Sequence, residues 1–445
     1  MHSIRMRHLG HLCRILKPCS SASVSNCLKS PEEPTPDATD ESLTDPFLSP
    51  PFVRCPNCGA EGAFGVLMVN RRSCIRRCAS CRHTQSQSLP PAPRKLIYLD
   101  QLALSNLAKA RARETATSKI EKYWRAVLDR LLRLGRLQLI ACPRSNFHEE
   151  EGMVWAGYHV LRAMARLLSA ELAFHDYAVI RNGQLYEHCQ LWEEGRGTEL
   201  PPLEVNRVVD GDPHGWQPRL LIDVRMEVTD QLVAELDRAR ETEDAGLRSV
   251  WARWAQEDVP FDRRVEEEAS SYGPIILELI AARVAAFQLG TAGVGGELIN
   301  ESALVTLLAV QSGLRRAGVL EEHLGERAAA YLGSVDLVNV PFNYISSLLY
   351  AALARRARAG QKGVTRGMTN DIRMMSTFMP FVHGMFIDSE CHTLLNENPL
   401  PERVGFETRL FSHRNKNEFV AYLDEIEAGA SQKHLEIVAQ VYGDV

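Results

Sequence analysis

Two sets of residues in this chain have the types and spacing to do chemistry, and they suit different metals. The first is Cys55-Pro-Asn-Cys58-Gly59 followed, about twenty residues on, by Cys78-Ala-Ser-Cys81. Two C-x-x-C pairs at this separation can present four thiolates tetrahedrally to Zn²⁺, each pair closing one tight knuckle. Gly59 suits the positive φ that such a turn needs. The second set is carboxylates: Asp100, the Glu149-Glu150-Glu151 triplet, Asp371 and Asp388. Three or four carboxylates brought together would bind Mg²⁺ or Mn²⁺, hard cations that want oxygen ligands. Such ions activate water and offset charge developing on a phosphodiester.

The local pattern around each acid shows how it could be positioned. Lys95-Leu-Ile-Tyr-Leu99 reads as a short buried strand that delivers Asp100 at its carboxyl end, and a helical segment through Ala110 follows at once. Standing alone, Asp100 would be no more than the cap of that helix. A longer helix is expected over Ser118–Leu134, closed by Gly135. Leu137–Cys142 then reads as a second strand. Pro143 and Ser145 are helix-start residues, so the glutamates fall in the first turns of a helix, with His148 and Glu151 on one face. Glutamates there also offset the helix dipole with no further role. Asn370-Asp371 opens a helix running to Phe378 and stopping at Pro380. Phe381–Ile387 is strand-like and ends in Asp388, Phe406–Phe411 can be one more strand, and Glu418–Ile426 makes a closing helix. The theme is strand, then acid. In a parallel sheet with right-handed crossovers those strand ends share one edge, where ligands gather. The expected fold class is therefore α/β around a central parallel sheet.

A chain of 445 residues has room for two or three domains, and 45% hydrophobic with 24% charged residues is an ordinary globular composition. A net charge of −5 excludes a globally basic nucleic-acid binder, so any such contact must come from local patches. No run of 18 or more apolar residues is present, which argues against a membrane span. Five of the eleven cysteines fall between positions 55 and 81, which argues for a metal site in a reducing compartment, the cytoplasm, and against a disulfide scaffold. Residues 1–50 read as a disordered extension, although their acid-free start also has the composition of a transit peptide. Residues 51–90 form the zinc ribbon, with a strand around Phe64 to Val69 and Cys74 as a spare thiol. Its Arg71, Arg72, Arg76, Arg77 and Arg82 face only Glu61, a balance that suits either a nucleic-acid backbone or plain solvent. Leu89–Pro93 is a stiff proline linker. Residues 153–337 are expected to be mostly helical, with a glycine linker at Gly290–Gly296 and solvated helix faces in the charged runs around 235–270. From 338 to 428 the pattern tightens. Ser346–Arg358 reads as an amphipathic helix with a basic tail at Arg355, Arg356 and Arg358, and a basic loop follows through Arg366. Residues 429–445 read as a tail.

The ordered set of motifs resembles the PIN-like nuclease family. It is carried by Ile97-Tyr98-Leu99-Asp100-Gln101 with Ser105 and Asn106, by Cys142-Pro-Arg-Ser-Asn-Phe-His148-Glu-Glu-Glu151, by Asn370-Asp371, and by Met379-Pro-Phe381 leading to Phe386-Ile387-Asp388. The ribbon joined by prolines to the first strand is similar to an arrangement in bacterial PIN-like proteins. The resemblance covers 94–152 and 338–428 and implies a three-layer α/β/α domain, with 153–337 as an insertion. It implies Mg²⁺- or Mn²⁺-dependent RNA cleavage, with Asp100 and Asp371 as main metal ligands and Asp388 as a further ligand or water positioner. Glu151 is the helix carboxylate by this likeness, because His148-x-x-Glu151 matches a His-x-x-Glu of related proteins. Relatives often carry a second aspartate where this chain has His383, which we read as a satisfied structural histidine. The expected protein is thus a metal-dependent ribonuclease, with Arg76 and Arg77 of the ribbon and Arg355 and Arg366 of the later loop holding RNA. An inhibitor or regulatory protein is an expected partner, and a homodimer is in keeping with the family. Two other readings use the same residues. One is a PIN-like module that has lost activity and binds nucleic acid or protein. The other is a phosphoryl enzyme, which lacks the Asp-x-Asp pair because position 102 is leucine.

Overall fold

The computed structural model describes residues 47–112, 118–155, 157–219, 229–288 and 297–443. The predicted extension lies outside them up to residue 46, as does the glycine linker at Gly290–Gly296. From Ser49 the chain is already in a four-stranded antiparallel sheet: β1 (Ser49–Val53), β2 (Phe64–Asn70), β3 (Ser73–Cys78) and β4 (Thr84–Ser88), in that order. One predicted strand is thus four. Val66, Val69 and Cys74 turn inward from β2 and β3, so the spare cysteine is a core residue and no ligand.

The chain continues through β5 (Lys95–Leu99), α1 (Gln101–Ala112), α2 (Lys119–Arg136), β6 (Ile140–Ala141), α3 (Asn146–Met153), α4 (Tyr158–Ser169), β7 (Ala173–Phe174), α5 (Tyr177–Glu193) and β8 (Val209–Asp210). Then come α6 (Asp230–Trp254), α7 (Phe261–Gln288), α8 (Glu297–Arg316), α9 (Leu324–Leu332), α10 (Pro341–Arg358), α11 (Met368–Phe378), β9 (Gly384–Phe386), α12 (Ser389–Leu395), α13 (Leu400–Val404), β10 (Arg409–Phe411), α14 (Lys416–Ala428) and α15 (Gln432–Tyr442). The second sheet has the order β10-β9-β5-β6 and all its pairings are parallel.

Residues of β5 alternate between two cores. Leu96 and Tyr98 pack with α5, α6, α10 and α11, while Ile97 and Leu99 pack with α1, α2, α4 and α14. A strand buried on both faces reads as an unbroken apolar run, as Lys95–Leu99 does. Helices thus cover both faces of the sheet.

Several expectations need correction. The helix over 118–134 is held by a Ser118–Glu121 capping box, but it passes through Gly135 to Arg136. The turn is made by Gln138, at φ 58°, whose side-chain amide donates to the carbonyls of Gly135 and Arg136. That turn consumes the front of the predicted strand Leu137–Cys142 and leaves only Ile140–Ala141. The strands predicted at 381–387 and 406–411 shrink in the same way to three residues each, and Met379–Phe381 forms a single 3₁₀ turn. α10 is no amphipathic helix. From Phe342 to Ala357 its apolar residues are buried, because α6, α7 and α11 cover the side expected to face water.

The charged runs in α6 and α7 are not simply solvated faces either. Asp244 is buried and accepts from the Gly367 amide, Glu243 pairs with the buried Arg373 at 2.9 Å, and buried Arg264 pairs with Glu257 and Glu267. The segment expected to be an insertion is mostly helical, with the small β7–β8 pair besides, yet α4, α5 and α6 complete the two cores of the sheet. The predicted tail is helix α15. Val438 and Val441 join Val66, Val69, Leu89 and Trp216 in one core, and Arg76 donates to the Gln440 carbonyl. The ribbon is therefore clamped to the body, with each buried apolar side chain contributing roughly 1.5–3 kcal/mol. Among the described residues no helix is long and apolar enough to cross a membrane.

Candidate active site

The ribbon cysteines converge as the spacing requires. The sulfurs of Cys55, Cys58, Cys78 and Cys81 all lie within 4.8 Å of one another. Cys55 to Cys81 is 3.7 Å and Cys58 to Cys78 is 3.8 Å, against about 3.8 Å for a tetrahedron with Zn–S bonds of about 2.3 Å. Both knuckles use the same backbone turn. Gly59 donates to the Cys55 carbonyl at φ 75°, and Arg82 donates to the Cys78 carbonyl at φ 61°. The Asn57 amide donates to the Cys81 sulfur and, as the largest cause, draws that thiol down to about 6. The cage can hold a tetrahedral metal such as zinc.

The acids gather at the carboxyl edge of the parallel sheet. Asp100 follows β5, donates its amide to the Phe386 carbonyl and accepts the Ala103 amide on one carboxylate oxygen at 2.8 Å. It is thus a helix cap and a cluster member at once. Asp388 follows β9 and caps α12 by accepting the amides of Glu390 at 2.6 Å and Cys391 at 2.7 Å. Asp371 enters from the first turn of α11. Ligand atoms of Asp371, Asp388 and Cys391 lie within 4.8 Å of one another. Burial lifts Asp371 well above the usual carboxylate range, and the charges of Asp388, Glu151 and Asp100 add to the shift. Asp100 is pushed up to about 8 by burial, with Asp388 and Glu151 adding and the Ala103 amide opposing. Like charges sharing a poorly solvated site raise one another in this way, and a cation would relieve them. The donor set therefore fits a divalent ion held by Asp371, Asp388 and Cys391 with Asp100 alongside.

The glutamate triplet resolves by geometry. Glu149 accepts from the Tyr158 hydroxyl at 2.7 Å and faces Arg144 and Arg162. Glu150 is buried against the Asn146 amide and pushed up to about 7, chiefly by burial. Glu151 couples to Asp100 and Asp371 and is itself raised by burial against the pull of Arg240. His148 takes no place at the cluster. Its Nδ1 accepts the Ser145 amide, its Nε2 donates to the Leu99 carbonyl, and its ring stacks on Tyr98. Burial pushes it down to about 4, so it stays neutral. His383 is likewise structural: its Nδ1 accepts the Leu96 amide at 3.1 Å, toward the other edge of the sheet.

Glu151 and Asp371 line a cleft of about 560 Å³ together with Gln101, Asn370 and Arg366. Asp100 and Asp388 reach the cluster from the sheet. The opposite wall is α6, through Asp237, Arg240 and Asp244. Nη2 of Arg240 is buried there without a hydrogen-bond partner among the described residues.

Of the arginines expected to hold RNA, only Arg366 lies at this cleft, exposed at its rim beside Asp237 and Asp244. Arg355 instead donates to Glu397 and the Asn398 carbonyl, and Arg356 and Arg358 are spent on Glu397 and Asp258. Arg76 is a clamp on Pro51 and Gln440, and Arg77 is half-buried on the same strand. The basic surface seen in sequence is largely internal bracing.

Sequence reasoning missed Cys391 and the α6 wall. The thiol had a faint signal, standing one helical turn after Asp388. The wall had none, since Arg240 lies some 130 residues from Asp371 in a run that looks solvated. No family model, no curated protein and no solved structure matches the chain.

Proposed function

We propose that this chain is a metal-dependent ribonuclease of PIN-like type, with zinc in the ribbon. The observation that carries the reading is the convergence of Asp100, Glu151, Asp371 and Asp388, from four separate elements, at the carboxyl edge of a parallel sheet beside an open cleft. Mg²⁺ or Mn²⁺ at such a site lowers the pKa of a coordinated water and offsets charge on a scissile phosphate. The residues that would hold it are Asp371 and Asp388, with Asp100 adding charge from the strand end and the Cys391 thiol beside them.

Glu151 stands on the cleft side of the cluster, and its burial brings its basicity closer to working pH, which suits it to take a proton from water. Arg240 offers a buried N–H with no partner among the described residues, which a phosphate oxygen would satisfy. Arg366 at the rim supplies a second cation for the backbone. Five acids (Glu151, Asp237, Glu243, Asp244 and Asp371) line the cleft against Arg240 and Arg366. An RNA strand would therefore be repelled until metal is bound.

The test is cleavage of RNA with Mg²⁺ or Mn²⁺ by the parent, Asp100→Asn and Asp371→Asn, with ribbon zinc content measured alongside. Turnover that needs metal and is lost in both variants, with zinc retained, supports the nuclease. A parent that binds RNA, cuts nothing and is indifferent to both substitutions would make it a binding module.

A further inference from the structure

A second cavity, of about 150 Å³, lies among α5, α6, α7, α10 and α11, separate from the acidic cluster. A cavity of that size has room for a ring the size of benzene. Its walls are chiefly apolar, with Leu247, Val250, Trp254 and Ile372 among them. Most of its polar groups are already committed. The Asn343 amide donates to the carbonyls of Ala269 and Leu337, the Ser347 hydroxyl donates to the Asn343 carbonyl, and Glu243 is paired with Arg373.

Several lining groups make no hydrogen bond among the described residues, the buried Trp254 Nε1 included, and three of the ionisable ones bear on what would bind. Arg181 lies over the rings of Phe342 (4.3 Å) and Tyr272 (5.3 Å), and its buried Nε has no hydrogen-bond partner among the described residues. Glu268 stands one helical turn before Tyr272; its carboxylate makes no hydrogen bond or salt bridge among the described residues, and the charges of Arg264 and Arg253 act on it from a distance. Burial pushes it up to about 6. The Tyr350 hydroxyl completes the set, half-buried and close enough to feel both charges. Leaving a buried donor unpaired is costly, and here the Arg181 cation shares a small cavity with a half-buried carboxylate that forms no salt bridge among the described residues.

We propose that this cavity binds a small zwitterion with an apolar side chain, a free α-amino acid of the phenylalanine or leucine class. Its carboxylate would meet Arg181, its ammonium Glu268, and its side chain the Trp254–Val250–Ile372 wall. An amine alone leaves the Arg181 donor unmet and an acid alone gains nothing from Glu268, so the cavity favours a ligand that carries both charges. The site does not depend on the nuclease reading. It does share Glu243 and Thr369 with the lining of the acidic cleft, so its occupant would touch the base of α11.

The experiment is calorimetric titration of the full chain with L-phenylalanine, L-leucine, phenethylamine, 3-phenylpropionate and 2-phenylethanol, with Trp254 fluorescence followed in parallel. Saturable one-to-one binding of an amino acid is expected, with the single-charge and neutral analogues weaker by at least about tenfold. Glu268→Gln should erase the preference for phenylalanine over 3-phenylpropionate, and Arg181→Gln the preference over phenethylamine. Unliganded melting of both variants shows that the fold is retained. Three results would overturn the proposal: no saturable binding by any compound, equal binding of 2-phenylethanol, or binding indifferent to both substitutions in folded protein.

Discussion

The ring of His148 donates a 2.7 Å hydrogen bond to the carbonyl of Leu99. This single bond ties the strand end that presents Asp100 to the helix that presents Glu151. The ring is held from its other side by the Ser145 amide, so its tautomer is fixed with the proton on Nε2. Removing the ring leaves a buried carbonyl and a buried amide without partners, at about 1–3 kcal/mol each. We expect His148→Ala to lower thermal stability and RNA cleavage together while leaving ribbon zinc unchanged. His148→Gln keeps the protein folded but flattens its acid limb. Between pH 6.5 and 4 the unfolded chain takes up a proton that the buried ring refuses, so the parent loses up to about 1.4 kcal/mol per pH unit from this group. Melting curves of parent and variant across that window measure the difference.

The acid cluster has the opposite sign. Asp100 holds its proton up to about 8 in the fold and only to its ordinary range when unfolded. Its contribution is therefore favourable at low pH and is lost as pH rises toward 8, and Asp371 acts in the same direction. Metal-free protein should melt lower at pH 8 than at pH 6, and Mg²⁺ or Mn²⁺ should restore the difference. Asp371→Asn should melt higher than the parent at pH 8 without metal and lose cleavage by at least about a hundredfold. A variant that is neither stabilised nor inactivated would remove Asp371 from the site.

Cys391 brings sulfur to a site that is otherwise oxygen, and sulfur shifts preference from Mg²⁺ toward softer ions. Zinc-loaded parent should show a sulfur-to-metal charge-transfer absorption on adding Cd²⁺, beyond any ribbon exchange, and Cys391→Ser should lack that increment. The serine variant should also be less selective for Mn²⁺ over Mg²⁺ in cleavage assays.

The arginines separate by what they touch. Arg366→Ala should weaken RNA binding and reduce the slope of its salt dependence by about 1. Arg355→Ala breaks the contact with Glu397 and should lower melting temperature with the salt slope intact. Equal effects of the two on RNA binding would contradict the placement of the cleft.

Local chemistry was legible in the sequence; long-range packing was not. The C-x-x-C pairs, the run at Lys95–Leu99 and the helix start at Ser118 act over a few residues, and each appears where the pattern places it. The acids could be named because each follows a strand or opens a helix. The errors arose where a distant element decides the environment. Arg76 reads as a free cation until α15 returns to meet it, α10 reads as half-solvated until α6 and α7 cover it, and α6 looks solvated until Asp244 anchors Gly367. Gln138 shows the same effect at short range. Its amide turns the chain where Gly135 was the obvious breaker.

The pairing of β5 with β9 has a consequence in time. Asp100 leaves the ribosome early, but the strand beside it is Gly384–Phe386, and Asp371, Asp388 and Cys391 come from the same late stretch. For more than two hundred residues of synthesis the nascent chain carries one acid and a finished glutamate helix without the rest. Domains fold during synthesis from the N-terminal side, yet this cluster closes only when the last of its members arrives. A prematurely terminated product, whatever else it folds, has no assembled centre. The order of the strands thus keeps a cluster of buried like charge unmade until the surrounding walls exist to contain it.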